Sequence, residues 1–157
     1  MGQSTDGILF YGIHFEEDAE LPWNREDDVD NEEWITELYG LPKPEEGWSE
    51  ETRVVYDEYW GKQKEIIKEV GIVIGVHCSC DYPMYYVGIA ESLVQNSRGE
   101  ALPIFITQDK KEEWNQRLQA FLKKAGIDGV EVFDSDKHTG RGERFKKIGW
   151  WLVSLWC

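Results

Sequence analysis

Residues 77–80 read "HCSC", the one place in the chain where imidazole and thiol groups crowd together. A neutral imidazole can take a proton or bind a metal ion, and a thiolate is both a soft metal ligand and a strong nucleophile. Whether four such residues can act together depends on the backbone beneath them. The preceding "IVIGV" marks 72–80 as a strand, and successive side chains of a strand point to opposite faces. Ile72, Ile74, Val76, Cys78 and Cys80 then share one face, and Val73, Gly75, His77 and Ser79 share the other. His77 and Cys78 diverge, and Cys78 and Cys80 extend an apolar face on which free cysteine acts as a small core residue. The remaining cysteine, Cys157, makes no second pair, so a four-ligand zinc site is not supported. The alternative is a small enzyme or ligand-binding domain whose pocket lies near the 72–90 hairpin with His14, His77 and Cys78 or Cys80 nearby, Cys78 being the conceivable nucleophile and His14 or His77 its base.

Two other stretches carry ligand-type residues. In "DDVDNEEW" (27–34), Asp28, Asp30 and Glu32 imitate the first ligands of a calcium loop. The glycine needed at the turn is Glu33, and the closing bidentate glutamate is Tyr39, so the match fails where the geometry is most demanding. In "DSDKHTGRGERFKK" (134–147), Gly140 and Gly142 flank Arg141 in the most basic part of the chain. Phosphate-loop spacing is missing, and a solvated loop is the simpler expectation. Asp134, Asp136 and His138 have metal-ligand chemistry but no further partner. Nothing in the sequence calls for a metal or a cofactor.

Charge is the stronger signal. The 157 residues have a formal net charge of −14. Residues 16–58 alone contain seventeen Asp or Glu against Arg25, Lys43 and Arg53, while the other residues sum to zero. Direct binding of nucleic acid through this region is disfavoured, because the phosphate backbone would repel it. A basic protein partner is the natural counterpart. Glu32 and Glu33 have a local use beside a helix N-terminus at Asp30, but Glu16, Glu17, Asp18, Glu20, Glu26, Asp27 and Asp28 do not. Trp23 and Trp48, in irregular segments beside Pro22 and Gly47, are expected to be exposed and to serve with those carboxylates as partner contacts. Trp34 and Trp60 fall on apolar helical faces and are expected in the core.

The elements that must position these groups follow from periodicity. "GILFYGIHF" (7–15) predicts a buried strand. Asp30, with Glu33 three residues on, predicts a capping box opening a short helix that stops at Gly40. A second helix spans about 50–70 and ends at Gly71, weakened at Gly61. "IVIGVHCSC" and "MYYVGIA" (84–90) form a hairpin across Asp81, Tyr82 and Pro83. Residues 91–103 read as loop, with a short strand at 103–106. After Thr107, Trp114, Leu118, Phe121, Leu122 and Ala125 recur at helical spacing. "GVEVF" (129–133) and "IGWWLVSLW" (148–156) complete the set as strands. The expectation is a single α+β domain over 1–157, with a mainly antiparallel sheet of four or five strands and about three helices packed largely on one face.

No apolar run reaches 18 residues, and no charged-then-apolar leader is visible, so neither a membrane span nor a secretory signal is expected. The odd cysteine count suits a reducing cytosol. The opening "MGQSTDGILFYGIHFEEDAELPW" (1–23) resembles the start of small acidic proteins encoded by phages and prophages. That resemblance implies action in the cytosol of an infected bacterium and supplies no catalytic residues. The combined expectation is an acidic, non-enzymatic interaction protein whose 16–58 region meets a basic, nucleic-acid-binding host protein, as a DNA mimic does. An oligomerising phage structural or assembly component, joined through its tryptophan-rich C-terminal strand, is a third expectation.

Overall fold

The computed structural model describes residues 5–17, 19–24, 30–45, 49–79, 83–97, 101–106, 108–132 and 147–156. Among them the chain forms β1 (Thr5–His14), α1 (Asn31–Leu38), α2 (Glu50–Val70), β2 (Ile72–Ser79) and β3 (Pro83–Ile89). These are followed by β4 (Val94–Asn96), α3 (Lys111–Lys124), β5 (Glu131–Val132) and β6 (Lys147–Trp156). A single 3₁₀ turn, Ala90–Ser92, separates β3 from β4.

The sheet closes on itself. β1 pairs antiparallel with β6 from Thr5↔Trp156 to Gly12↔Gly149 along one edge. Its other edge is shared, with β4 opposite Gly7–Leu9 and β3 opposite Gly12–His14. β3 pairs antiparallel with β2, and β2 reaches β6 in parallel through Cys78↔Leu155 and Ser79↔Trp156. The cycle β1–β3–β2–β6–β1 is therefore a small hydrogen-bonded ring. β5 adds a second parallel contact at Glu131↔Lys147. The sheet is thus mixed, with six strands among the described residues, rather than mainly antiparallel with four or five. Both parallel contacts involve β6, a strand distant in sequence from β2, so no local pattern announces them.

Ring closure separates two apolar faces. Inside, Ile8, Phe10 and Tyr86 pack with Val73, Trp151, Val153 and Leu155. The Phe10 and Tyr86 rings stack at 4.3 Å between centroids. Glycines make room for this: a Cβ on Gly75 would lie 2.2 Å from the Tyr86 ring, and one on Gly12 would lie 2.0 Å from the Val87 carbonyl oxygen. Such a tight ring requires strands to approach closer than side chains allow. Outside, Tyr11, Ile13, Ile72, Ile74, Val87, Ile89 and Ile148 form the core against Trp34 and Ile35 of α1, Val70 of α2 and the α3 stripe of Trp114, Leu118, Phe121 and Leu122. All three described helices pack on this outer face.

The helix ends follow their sequence signals, with one difference. Asp30 caps α1 by accepting from the Glu32 amide at 3.0 Å. Glu33 does not complete a capping box; its carboxylate bonds the Lys43 ammonium at 3.0 Å instead, because Glu33 is buried and an opposite charge there offsets lost hydration. Ser49 caps α2, and Gly71 ends it at φ 61°. In α2 the buried residues are Tyr59, Gln63 and Val70. Trp60 lies about 100° around the helix from Tyr59 and is 43% exposed, which corrects its expected place in the core. The short strand falls at 94–96 and not at 103–106, where Phe105 is 86% exposed. β4 fills the part of the β1 edge that β3 leaves open, a requirement of topology and not of composition.

Candidate functional site

Two regions hold groups with chemical potential. The first is the segment linking β1 to α1. Phe15, Leu21 and Trp23 are buried, and Glu16, Glu17 and Glu20 are exposed. The Trp23 ring packs edge-on against Phe15 at 5.7 Å and Trp34 at 5.3 Å, and its contact with Tyr85 is at 6.4 Å. Backbone bonds from the Phe15 amide to the Tyr85 carbonyl, Ala19 to Glu16 and Asn24 to Leu21 hold the path of the chain. The segment is therefore a strap with its aromatic residues fixed in the core and its carboxylates outward.

Trp23 is only 3% exposed, so it cannot be the surface contact its irregular surroundings suggested. Burying a tryptophan in the core releases far more apolar area than leaving it beside charged groups. Among the described residues no cation pairs with Glu16, Glu17 or Glu20, nor with Glu50, Glu51, Asp57 or Glu58 of α2. Among the described residues the negative field here has no ion pair to offset it. Asp18, Glu26, Asp27, Asp28 and Trp48 lie outside the described residues, as do Cys80, the 134–146 part of the basic loop and residues 27–29 of the calcium-like stretch.

The second region is the end of the ring where β2 meets β6. His14 of β1 and His77 of β2, strands that β3 separates in the sheet, bring their rings to 4.7 Å between centroids, and His14 also stands 5.5 Å from Trp151. Both imidazoles are buried. Burial lowers the pKa of His14, and burial together with the adjacent His14 lowers that of His77 to about 4. The neutral form wins because a charged ring here would lose its water and, at His77, would face a second imidazole. His77 Nε2 is buried with no hydrogen-bond partner.

Burial changes face toward the end of β2, from Ile72 and Ile74 on one face to His77 and Ser79 on the other. Cys78 sits at φ 78°, a left-handed conformation rare for a residue with a side chain. Cys78 is a free thiol, partly exposed, which corrects its assignment to an apolar core face. It borders an open hollow of about 590 Å³ shared with Gly7, His77, Met84, Val153 and Trp156. His77 and Cys78 thus reach one cavity although a regular strand would part them. They are not hydrogen-bonded to each other. Among the described residues no group of three His, Cys, Asp or Glu side chains is placed to hold a metal ion.

A smaller hollow of about 150 Å³ involves Glu91, Lys110, Trp114 and Trp150, none of which was a candidate site residue in the sequence. Glu91 bonds the Lys110 ammonium at 2.6 Å and accepts from Trp114 Nε1 at 2.8 Å, and the Lys110 bond leads in lowering its pKa. Glu91, Lys110 and Trp114 satisfy one another and tie the 3₁₀ turn to α3, while Trp150 Nε1 beside them is buried without a hydrogen-bond partner. No described helix is long and apolar enough to cross a membrane. Comparison of the chain with protein-family models, curated proteins and solved structures finds no match.

Proposed function

We propose that this chain is a non-enzymatic binding protein that presents the carboxylates of its 16–58 region to a basic partner. The observation that carries this is the strap: Glu16, Glu17 and Glu20 face solvent, paired with no cation among the described residues, on a backbone fixed by buried Phe15, Leu21 and Trp23. Carboxylates held in place lose little freedom on binding, and that pre-organisation converts a diffuse negative charge into a recognisable surface. A field of one sign also speeds encounter with a partner of the other. The partner class that fits is a nucleic-acid-binding protein whose cationic site is occupied as DNA would occupy it. The cytosol of a phage-infected bacterium is the setting we propose, from the opening residues.

Immobilised protein should capture basic proteins from a bacterial lysate at low salt and release them as salt rises. The variant Glu16→Gln/Glu17→Gln/Glu20→Gln should retain the fold and lose most of this capture. Capture unchanged in that variant, or unaffected by salt, would rule the proposal out.

A further inference from the structure

Two buried imidazoles meet inside the ring, beside the place where it is most weakly closed. His14 of β1 and His77 of β2 face each other, with Trp151 5.5 Å from His14 and Tyr86 6.4 Å from His77. Among the described residues, the titratable groups facing His77 are His14 from β1 and Tyr86 from β3, with the Cys78 thiol next to it on its own strand. From β6 the inner side chains are Trp151, Val153 and Leu155, none of which titrates. A proton on either ring puts charge where water is excluded, and two protons put like charges side by side. Just beyond His77, β2 and β6 are joined by two registered pairs, Cys78↔Leu155 and Ser79↔Trp156, against eight between β1 and β6 and seven between β2 and β3. Cys78 holds its left-handed φ of 78° within that junction. The core that seats the three described helices lies on the outer face, a cluster separate from the inner one. Releasing the two-pair junction leaves that anchorage in place, and such a local opening costs less than unfolding the chain.

From this placement we infer that the His14–His77 pair is an acid-sensitive latch, whose protonation opens the ring at the β2–β6 junction while the helical face stays folded. The direction follows from burial. Both imidazoles bind protons more weakly in the closed ring than in water, so the latch is shut above about pH 6.5 and releases as pH falls from there toward about 4. Within that window the opened fraction should climb about tenfold per pH unit for each histidine that takes up a proton. The device draws on none of the strap's carboxylates.

Hydrogen exchange of the full chain tests this, read by peptide mass spectrometry from about pH 7 to about pH 4.5, with exposure times scaled to the intrinsic amide rate. The opening constant of peptides spanning β2 (Ile72–Ser79) and the end of β6 should rise at least about tenfold on acidification, while α3 (Lys111–Lys124) keeps its protection. His77→Phe should flatten that rise. Where His77→Phe does not fold, His77→Gln, uncharged over the same range, takes its place. In the parent protein the imidazole proton resonances of His14 and His77 should titrate over the same pH range as the exchange, below the range of an exposed histidine. The inference is overturned by ring-end exchange that does not respond to pH, or by a response that persists in the His77 variant. Imidazoles that titrate near pH 6.5 with the ring end still protected would overturn it too. So would α3 and the ring end losing protection together, since that is unfolding of the whole chain.

Discussion

The strap of residues 15–24 and the β2–β6 end of the ring sort polar and apolar groups in opposite ways. In the strap, the aromatics are buried and the acids keep their water. At the ring end, two imidazoles are buried against each other, and Leu152 and Trp156 remain exposed. Solvation accounts for the difference. Exposed carboxylates cost the fold nothing and generate a field, whereas buried imidazoles are tolerated because they can shed their protons. Only the strap can act at a distance; the ring end responds to protons.

The largest expected test of this contrast is Trp23→Ala, which should destabilise the protein by about 3–5 kcal/mol through loss of a large buried ring. Trp60→Ala, at a 43% exposed position, should cost under about 1 kcal/mol. Urea midpoints compare the two; similar small losses would mean that Trp23 does not anchor the strap.

Next in size is the response to pH. A base whose pKa falls from 6.5 to about 4 on folding binds its proton more readily in the unfolded chain. The fold is therefore at full strength above pH 6.5 and weakens as pH drops from there to about 4. The loss should approach ~3 kcal/mol at about 1.36 kcal/mol per pH unit, with His14 acting in the same direction. His77→Phe should flatten the curve, and equal slopes in both proteins would contradict a buried neutral His77. Gly75→Ala follows at about 1–3 kcal/mol, because the Tyr86 ring it would strike is held by Phe10; a thermal midpoint equal to the parent's would mean the ring can give way. The smallest effect belongs to Glu16→Gln, Glu17→Gln and Glu20→Gln, each under about 0.5 kcal/mol in urea melts. A larger loss in any of them would place that carboxylate in a structural bond rather than on a binding surface.

Much of the secondary structure was legible because its signals are local. The α3 stripe, the Ser49 and Gly71 boundaries of α2 and the β2–β3 hairpin each depend on residues a few positions apart. Ring closure is different. It joins residues 5–12 to 149–156, and neither strand's composition names the other. Contacts between residues distant in sequence explain three errors. Cys78 turns to φ 78° beside the junction with β6; β4 forms at 94–96 to complete the β1 edge; and Trp23 is drawn inward because Trp34 and Tyr85 are there to receive it. In the candidate site, the carboxylates were visible as a charge asymmetry. The hollow was not, because its walls come from four strands spread across the chain.

The most direct measurement of the central claim is displacement of a labelled DNA duplex from a basic, sequence-nonspecific bacterial DNA-binding protein, followed by anisotropy across a salt series. The parent protein should displace the duplex at low salt and lose potency steadily between about 50 and 200 mM. Glu16→Gln/Glu17→Gln/Glu20→Gln should be weaker by about tenfold, with a shallower salt dependence. No displacement by the parent, or equal potency of parent and variant at every salt concentration, would contradict the account.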